Sequence, residues 1–294
     1  MAGDDLLAER FEEHRARLRA VAYRMLGSHA EAEDALQESW LRVARAGSDG
    51  VDNLGGWLTT VVARQCLNML RSRTARREEP LDVRVPDPVV SAGEGIDPAQ
   101  QALLADSVGL ALLVVLESLD PAERLAFVLH DMFAVPFDEI ATIVGRTPAA
   151  ARQLASRARR RVQGGAPQPD QNLSRQREVV DAWLAASRGG DFDALVALLD
   201  PDAVLRVDGG VRAAGTSKHV RGAVQVAGQA GLFAAGARHA RNALVNGAAG
   251  FVVVRGGRPV AVLAFTIADG RIHEIDILAD PDRLATLYVA GITG

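Results

Sequence analysis

Residues Leu119 to Val162 read LDPAERLAFVLHDMFAVPFDEIATIVGRTPAAARQLASRARRRV. Asp120-Pro121 opens a helix, with Asp as N-cap and Pro in the first turn. Pro136 begins a short helix to Val144, and Gly145 is placed as its left-handed cap residue. Thr147-Pro148 begins the next helix, which runs to about Val162. A short helix, a glycine turn and a capped helix have helix-turn-helix spacing. From Arg146 to Arg161 the chain holds six arginines and no acids. Arg152, Ser156, Arg159 and Arg160 follow three- and four-residue steps and share an exposed face. Ala151, Leu154, Ala155, Ala158 and Val162 supply a buried side. Such a helix fits a major groove, where Arg reads guanine or holds phosphate and Ser and Gln bond bases or backbone. A solvated basic helix has the same composition, so the segment alone leaves both readings open.

The surrounding composition narrows the choice. The chain has 294 residues, about twice the usual size of one domain. Of its 33 basic residues a single one, Lys218, is lysine, so arginine abundance is a bias of the whole chain and weak evidence for nucleic acid. A net charge of −4 excludes coating DNA by bulk attraction, leaving local patches. One cysteine, Cys66, excludes an internal disulfide framework and a cysteine-based zinc site. No apolar run reaches the roughly 18 residues of a membrane span. The acidic N-terminus lacks the order of a signal peptide. A reducing cytoplasm is the expected compartment.

Two stretches read as linkers. Residues 78–97 carry three prolines and no sustained period, and residues 164–172 (GGAPQPDQN) form the strongest break. They leave blocks at 5–77, 98–163 and 173–294. The first two read as helical, over Leu6–Leu26, Glu31–Ala46, Leu54–Arg73 and Gln100–Leu119 and then the elements above. The third begins with helices near Gln176–Arg188 and Asp191–Leu199. A strand is expected at Ala203–Val207 and a helix at Gly222–Ala235. Strands follow at Arg238–Val245, Gly250–Arg255, Pro259–Ile267 and Arg271–Leu278, joined by glycine-containing turns, and a helix over Asp280–Val289 ends the block. That pattern predicts an α+β domain with an antiparallel sheet.

The helix after Ser28 places Glu31, Glu33, Asp34 and Glu38 beside Leu36, Trp40, Leu41 and Val43. An acidic, partly apolar face suits a basic protein partner better than DNA, and a solvated surface is the alternative. Together with its neighbours the segment carries a resemblance. LGSHAEAEDALQESWLRV (Leu26–Val43) resembles region 2 of an extracytoplasmic-function (group IV) RNA polymerase sigma factor, the part that docks on core polymerase. NLGGWLTTVVARQCLNMLRSR (Asn53–Arg73) resembles the helix that melts and reads the −10 element. Leu119–Val162 resembles region 4, which reads the −35 element. Arg175–Gly210 is similar to the SnoaL-like domain fused to the SigJ-like subgroup. A DGGG-type motif stands here as Asp208-Gly209-Gly210-Val211, and an NPDKL-like motif as Asp280-Pro281-Asp282-Arg283-Leu284. The WLP-type linker motif is not evident; Val85-Pro86-Asp87-Pro88 occupies its place.

The resemblance implies two all-α sigma domains (region 2 and helix-turn-helix region 4) plus a C-terminal α+β SnoaL-like cone. It implies a transcription initiation factor whose partners are RNA polymerase core and promoter DNA, with no membrane, cofactor, metal site or catalytic residue of its own. Asp34, Gln37, Glu38 and Leu41 are expected to meet polymerase. Asn53, Arg64, Asn68 and Arg71 are expected at the −10 element, with a base pocket in the loop Ser48–Gly56. Arg152, Gln153, Ser156, Arg157 and Arg160 are expected at the −35 element. Asp208, Gly209, Gly210, Asp280, Pro281 and Asp282 are expected to form a regulatory contact between the SnoaL-like and sigma domains. Asp208, His239, His273, Glu274 and Asp276 are the acid/base candidates if the third block were an enzyme. Glu274 and Asp276 fall on one face of their strand and His273 on the other, which makes no acid/base pair. Two rivals have different requirements. A one-component transcription factor explains 119–294 but not the two motifs in 26–73. An enzyme with an incidental helical domain requires turnover by 173–294 alone.

Overall fold

The computed structural model describes residues 2–47, 51–76, 83–92, 109–165, 169–210, 217–287 and 289–290. The chain divides into two compact units, Met1–Pro80 with Val115–Gly165, and Leu81–Val114 with Ala166–Gly294.

The first unit is helical. Helices α1 (Ala2–Leu26), α2 (His29–Ala46) and α3 (Leu54–Arg76) pack around Leu18, Met25, Leu36, Leu58 and Leu67, all fully buried. Ser28 caps α2 by accepting from the Glu31 amide. Helix α4 (Leu110–Glu117), of which Val115–Glu117 fall in this unit, is the described part of the helix expected over 100–119, and residues 100–108 lie outside the described residues. Helix α5 (Pro121–Phe127) starts as its sequence dictates, with the Asp120 carboxylate accepting from the Ala122 amide and Pro121 in the first turn. A π-helical turn, Val128–Met132, follows it. Helix α6 (Phe137–Val144) stops at Gly145, whose φ of 71° and ψ of 40° are left-handed. Helix α7 (Pro148–Gly165) then buries Ala151, Leu154, Ala155 and Ala158 and exposes the residues between them.

In the second unit, β1 (Val90–Ser91) comes from the first linker. Helices α8 (Leu173–Gly189) and α9 (Phe192–Leu198) precede β2 (Leu199–Asp208), β3 (Lys218–Arg221) and α10 (Ala223–Ala237). Strands β4 (Ala240–Val245), β5 (Ala248–Arg255), β6 (Arg258–Ala268) and β7 (Arg271–Leu278) follow, then α11 (Pro281–Thr286) and β8 (Val289–Ala290). The sheet order is β3-β2-β7-β6-β5-β4-β1-β8. Asn246 and Gly247, at φ 50° and 81°, make the β4–β5 connection with both central residues left-handed, as two-residue hairpins prefer. One face of the sheet packs Leu205, Phe251, Leu263, Phe265 and Ile277 against Trp183 and Leu184 of α8.

Three expectations need correction. The sheet is mixed, because β2 runs parallel to β7 and β1 parallel to β8. Period-two alternation gives a strand its faces but not its direction. The last helix ends at Thr286, not Val289, and Val289 instead pairs with Val90 of β1; β-branched Val favours the pleated surface. The first linker is not featureless, since residues 83–92 lie extended within the second unit and Val85 and Val90 are almost wholly buried.

Candidate functional site

Four groups of residues bear on function. On α2, Asp34, Gln37 and Leu41 are exposed at helical steps, and Glu38 pairs with Arg42 at 3.3 Å. Leu41 is one of few large apolar side chains left in solvent, 43% exposed. The face is acidic with one apolar contact point.

On α3, Arg64, Asn68 and Arg71 are exposed along one side. Asn53 precedes the helix, and its Oδ1 accepts from the Gly56 amide at 3.0 Å, so one polar atom of the expected base reader is committed to capping. Ser48 to Gly50 of the expected base pocket lie outside the described residues. Trp57 is half-buried.

On α7, Arg152, Gln153, Ser156, Arg157 and Arg160 are all exposed. Their surroundings divide them. Arg157 and Arg161 pair with the buried Glu123 of α5 at 3.1 and 3.3 Å. Arg159 pairs with Asp131 at 2.5 Å. The Arg152 guanidinium lies 5.6 Å from the Phe137 ring centroid. Among the described residues neither Arg152 nor Arg160 meets a carboxylate, so both keep their donors for an external anion.

The helix-turn-helix and the region-2-like helices are packed within one unit. Arg124, 3% exposed, donates to the Met25 carbonyl at 2.8 Å and pairs with Glu117 at 3.3 Å. Arg73 of α3 pairs with Glu31 and lies 3.9 Å from Glu117. Arg24 stacks over Phe133 at 4.8 Å, and Arg64 reaches the Thr142 carbonyl at 3.5 Å.

The fourth group is in the second unit. Asp208 ends β2; its Oδ1 accepts from the Gly210 amide at 3.1 Å. Asp208 Oδ2 accepts from the Val85 amide at 3.0 Å and from Arg283 Nη1 at 2.7 Å. Arg283 also donates from Nε to Asp87 at 2.6 Å and from Nη2 to the Val85 carbonyl at 2.6 Å. Asp280 caps α11 by accepting from the amides of Asp282 and Arg283. Gly210 sits at φ +76°, and a Cβ there would fall inside the Asp280 carboxylate. Gly209 donates to the Ser217 hydroxyl. Pro281 and Asp282 are exposed. The two motifs therefore meet and hold the linker between them. Arg283, within the expected Asp280–Leu284 contact motif, and Asp87, which was not part of the expected contact, are its hub. Both stood within segments the sequence singled out, but their pairing spans 196 residues. Burial opposes the Arg283 charge, yet Asp87 and Asp208 outweigh it and raise its pKa. Beyond the clamp, Asn246 Oδ1 accepts from the Val89 amide and the Asn246 amide donates to the Val89 carbonyl.

The acid/base candidates are dispersed. Glu274 and Asp276 are buried and share one guanidinium, Arg206, at 3.1 Å each. Burial pushes the Asp276 carboxyl up to about 6 against the attraction of Arg206. His273 lies 3.8 Å from Asp200. A cavity of about 280 Å³ opens inside the cone, and none of Asp208, His239, His273, Glu274 or Asp276 lines it.

The geometry defines a helix-turn-helix with a basic exposed face in the first unit and, in the second, an α+β domain that holds part of the first linker. The sigma-70 region 2 model matches residues 10–76 and the sigma-70 region 4 model residues 109–162. The chain is 41% identical to the ECF RNA polymerase sigma factor SigJ of Mycobacterium tuberculosis, covering 93% of this chain and 91% of the relative. It is 38% identical to the probable ECF RNA polymerase sigma factor SigI of the same species, over 71% of this chain and 72% of that protein. The crystal structure of M. tuberculosis SigJ matches with a TM-score of 0.76 at 37% identity, over 96% of this chain and 99% of that one. The chain belongs to the ECF RNA polymerase sigma factors. It is a transcription initiation factor, acting with core polymerase at promoters, and not an enzyme. No helix among the described residues is long and apolar enough to cross a membrane.

Proposed function

We propose that this sigma factor works in the cytoplasm as three modules, 5–77, 98–163 and 173–294, the last modulating the first two through the strap at 78–97. Asp34, Gln37, Glu38 and Leu41 face the polymerase, where charge sets orientation and on-rate more than affinity. Arg64, Asn68 and Arg71 take the −10 element, with Asn53 as the polar group of the base pocket. Arg152, Gln153, Ser156 and Arg160 take the −35 groove and phosphates, and Arg157 divides its charge between DNA and Glu123.

The packed first unit is a resting arrangement. Boxes about 25 base pairs apart are separated by about 85 Å of duplex at 3.4 Å per pair. A compact body of roughly 130 residues has a radius of gyration near 14 Å and is under about 40 Å across. The helix-turn-helix must therefore leave α3 before both boxes are read, and the strap between the modules sets how far it travels. The observation that carries this reading is the clamp of Asp208 and Arg283 on Val85 and Asp87. A fused domain acts at high effective concentration, so modest contacts bias the arrangement.

The test is run-off transcription with purified core polymerase, comparing the full chain with a truncation after Asn172 and with Asp208→Ala. The expected result is a changed transcript yield for both variants. Yields equal to the full chain would overturn the regulatory reading.

A further inference from the structure

The cavity inside the cone has no place in promoter recognition, and its lining states a ligand chemistry. Trp183 and Leu184 of α8, Phe251 of β5, Leu263 of β6 and Ile277 of β7 make its walls apolar. Its volume of about 280 Å³ is about nine times the share of liquid volume of one water, about 30 Å³. A ligand of about ten non-hydrogen atoms fills it. With no acid/base group on the lining among the described residues, the cavity is built to hold rather than to convert.

Two polar groups break the apolar wall. Ser187 is 6% exposed and lines the cavity. Arg255 also lines the cavity, is exposed, and meets no carboxylate among the described residues. Arg258 stands directly opposite Arg255 across the Gly256-Gly257 turn, so both side chains leave the same face of the hairpin, and like charges so placed repel. An anion beside Arg255 relieves that repulsion.

We propose that the cone binds a small apolar carboxylate, its hydrocarbon part buried against Trp183 and Leu263, its polar end in reach of Ser187 and Arg255. The cavity wall continues into the strap clamp: Ala279 lines the cavity, its amide donates to the Asp208 carbonyl at 2.7 Å, and Asp280 follows it. Any effect of the ligand on transcription rests on the strap reading above; binding itself does not.

The test is titration of the full-length chain, without polymerase, with decanoate, decanol and decylamine. Binding is followed by calorimetry and by Trp183 fluorescence, with Trp183→Phe identifying the signal. The expected result is saturable one-to-one binding of decanoate, weaker binding of decanol and least of decylamine. Loss of a charge-assisted hydrogen bond costs about tenfold or more in affinity, so Arg255→Gln weakens decanoate by that factor and leaves decanol unchanged. Ala261→Phe fills the cavity and removes both, with a melting curve to establish that it folds. No saturable decanoate binding to the unmodified chain overturns the proposal. Equal binding of all three probes, or a decanoate affinity indifferent to Arg255→Gln, overturns the anion assignment.

Discussion

Arg283→Gln tests the clamp most severely. Asp87 and Asp208 have side chains only 6% and 8% exposed, and both ion-pair with Arg283, itself 20% exposed. Removing the cation leaves two carboxylates facing one another away from water. Breaking a buried ion pair from one side costs about 3–5 kcal/mol, and here the loss is capped by the free energy of strap docking, because the strap can leave. The reporter is the Val85 amide, which donates to Asp208 Oδ2. At about 1.4 kcal/mol per tenfold, the lower figure corresponds to roughly a hundredfold loss of hydrogen-exchange protection. The expected outcome is a loss of about that size at Val85, a smaller one at Val89, which keeps its Asn246 partner, and little change in β5 and β6. Protection at Val85 equal to that of the unmodified chain would refute the reasoning, since the strap would then be held by something other than this guanidinium.

Four further outcomes are expected. Glu274 and Asp276 share Arg206, so one buried negative charge is in excess, and the Asp276 carboxyl sits at about 6 in the fold against about 3.9 unfolded. The folded pKa is the higher, so the folded state binds more protons between these values and stability falls as pH rises from 4 to 6; chemical denaturation of Asp276→Asn should show that slope reduced. Gly210→Ala places a side chain at positive φ against Asp280 and should destabilise strap docking by about 1–2 kcal/mol or more from the backbone term alone, read by the same exchange experiment. Arg160→Ala should weaken binding to all −35 sequences and flatten the salt dependence, whereas Arg157→Ala, half exposed and sharing Glu123 with Arg161, should shift the melting free energy by less than about 1 kcal/mol; equal salt slopes for Arg160→Ala and the unmodified chain count against the phosphate assignment.

What the sequence disclosed was local. Asp120-Pro121, Gly145 and the alternation of Ala151, Leu154, Ala155 and Ala158 with arginines each act within a turn or two, and the helices start, stop and face accordingly. Exposure of α7 followed from its period, but the pairing of Arg157 with Glu123 did not, because Glu123 arrives from another helix. The strap was opaque for the same reason. Val85 finds its acceptor 123 residues away and Arg283 finds the Val85 carbonyl at 198, and a proline-rich segment without period gives no sign that its amides will be satisfied by a distant domain. The parallel register of β2 on β7 likewise depends on a crossover and not on either strand's own pattern. The site motifs were located by resemblance, and the structure supplied the pairing of Arg283 with Asp208 and Asp87.

The account stands or falls on promoter opening by polymerase carrying this chain. Core polymerase and the purified full-length protein, mixed with a cognate promoter fragment, are probed by permanganate footprinting of unpaired thymines. Reactive thymines at the −10 box, present with the chain and absent with core alone or with an Asp34→Ala, Leu41→Ala variant, are the expected result. A duplex that remains unreactive while the chain is bound to core polymerase would contradict it.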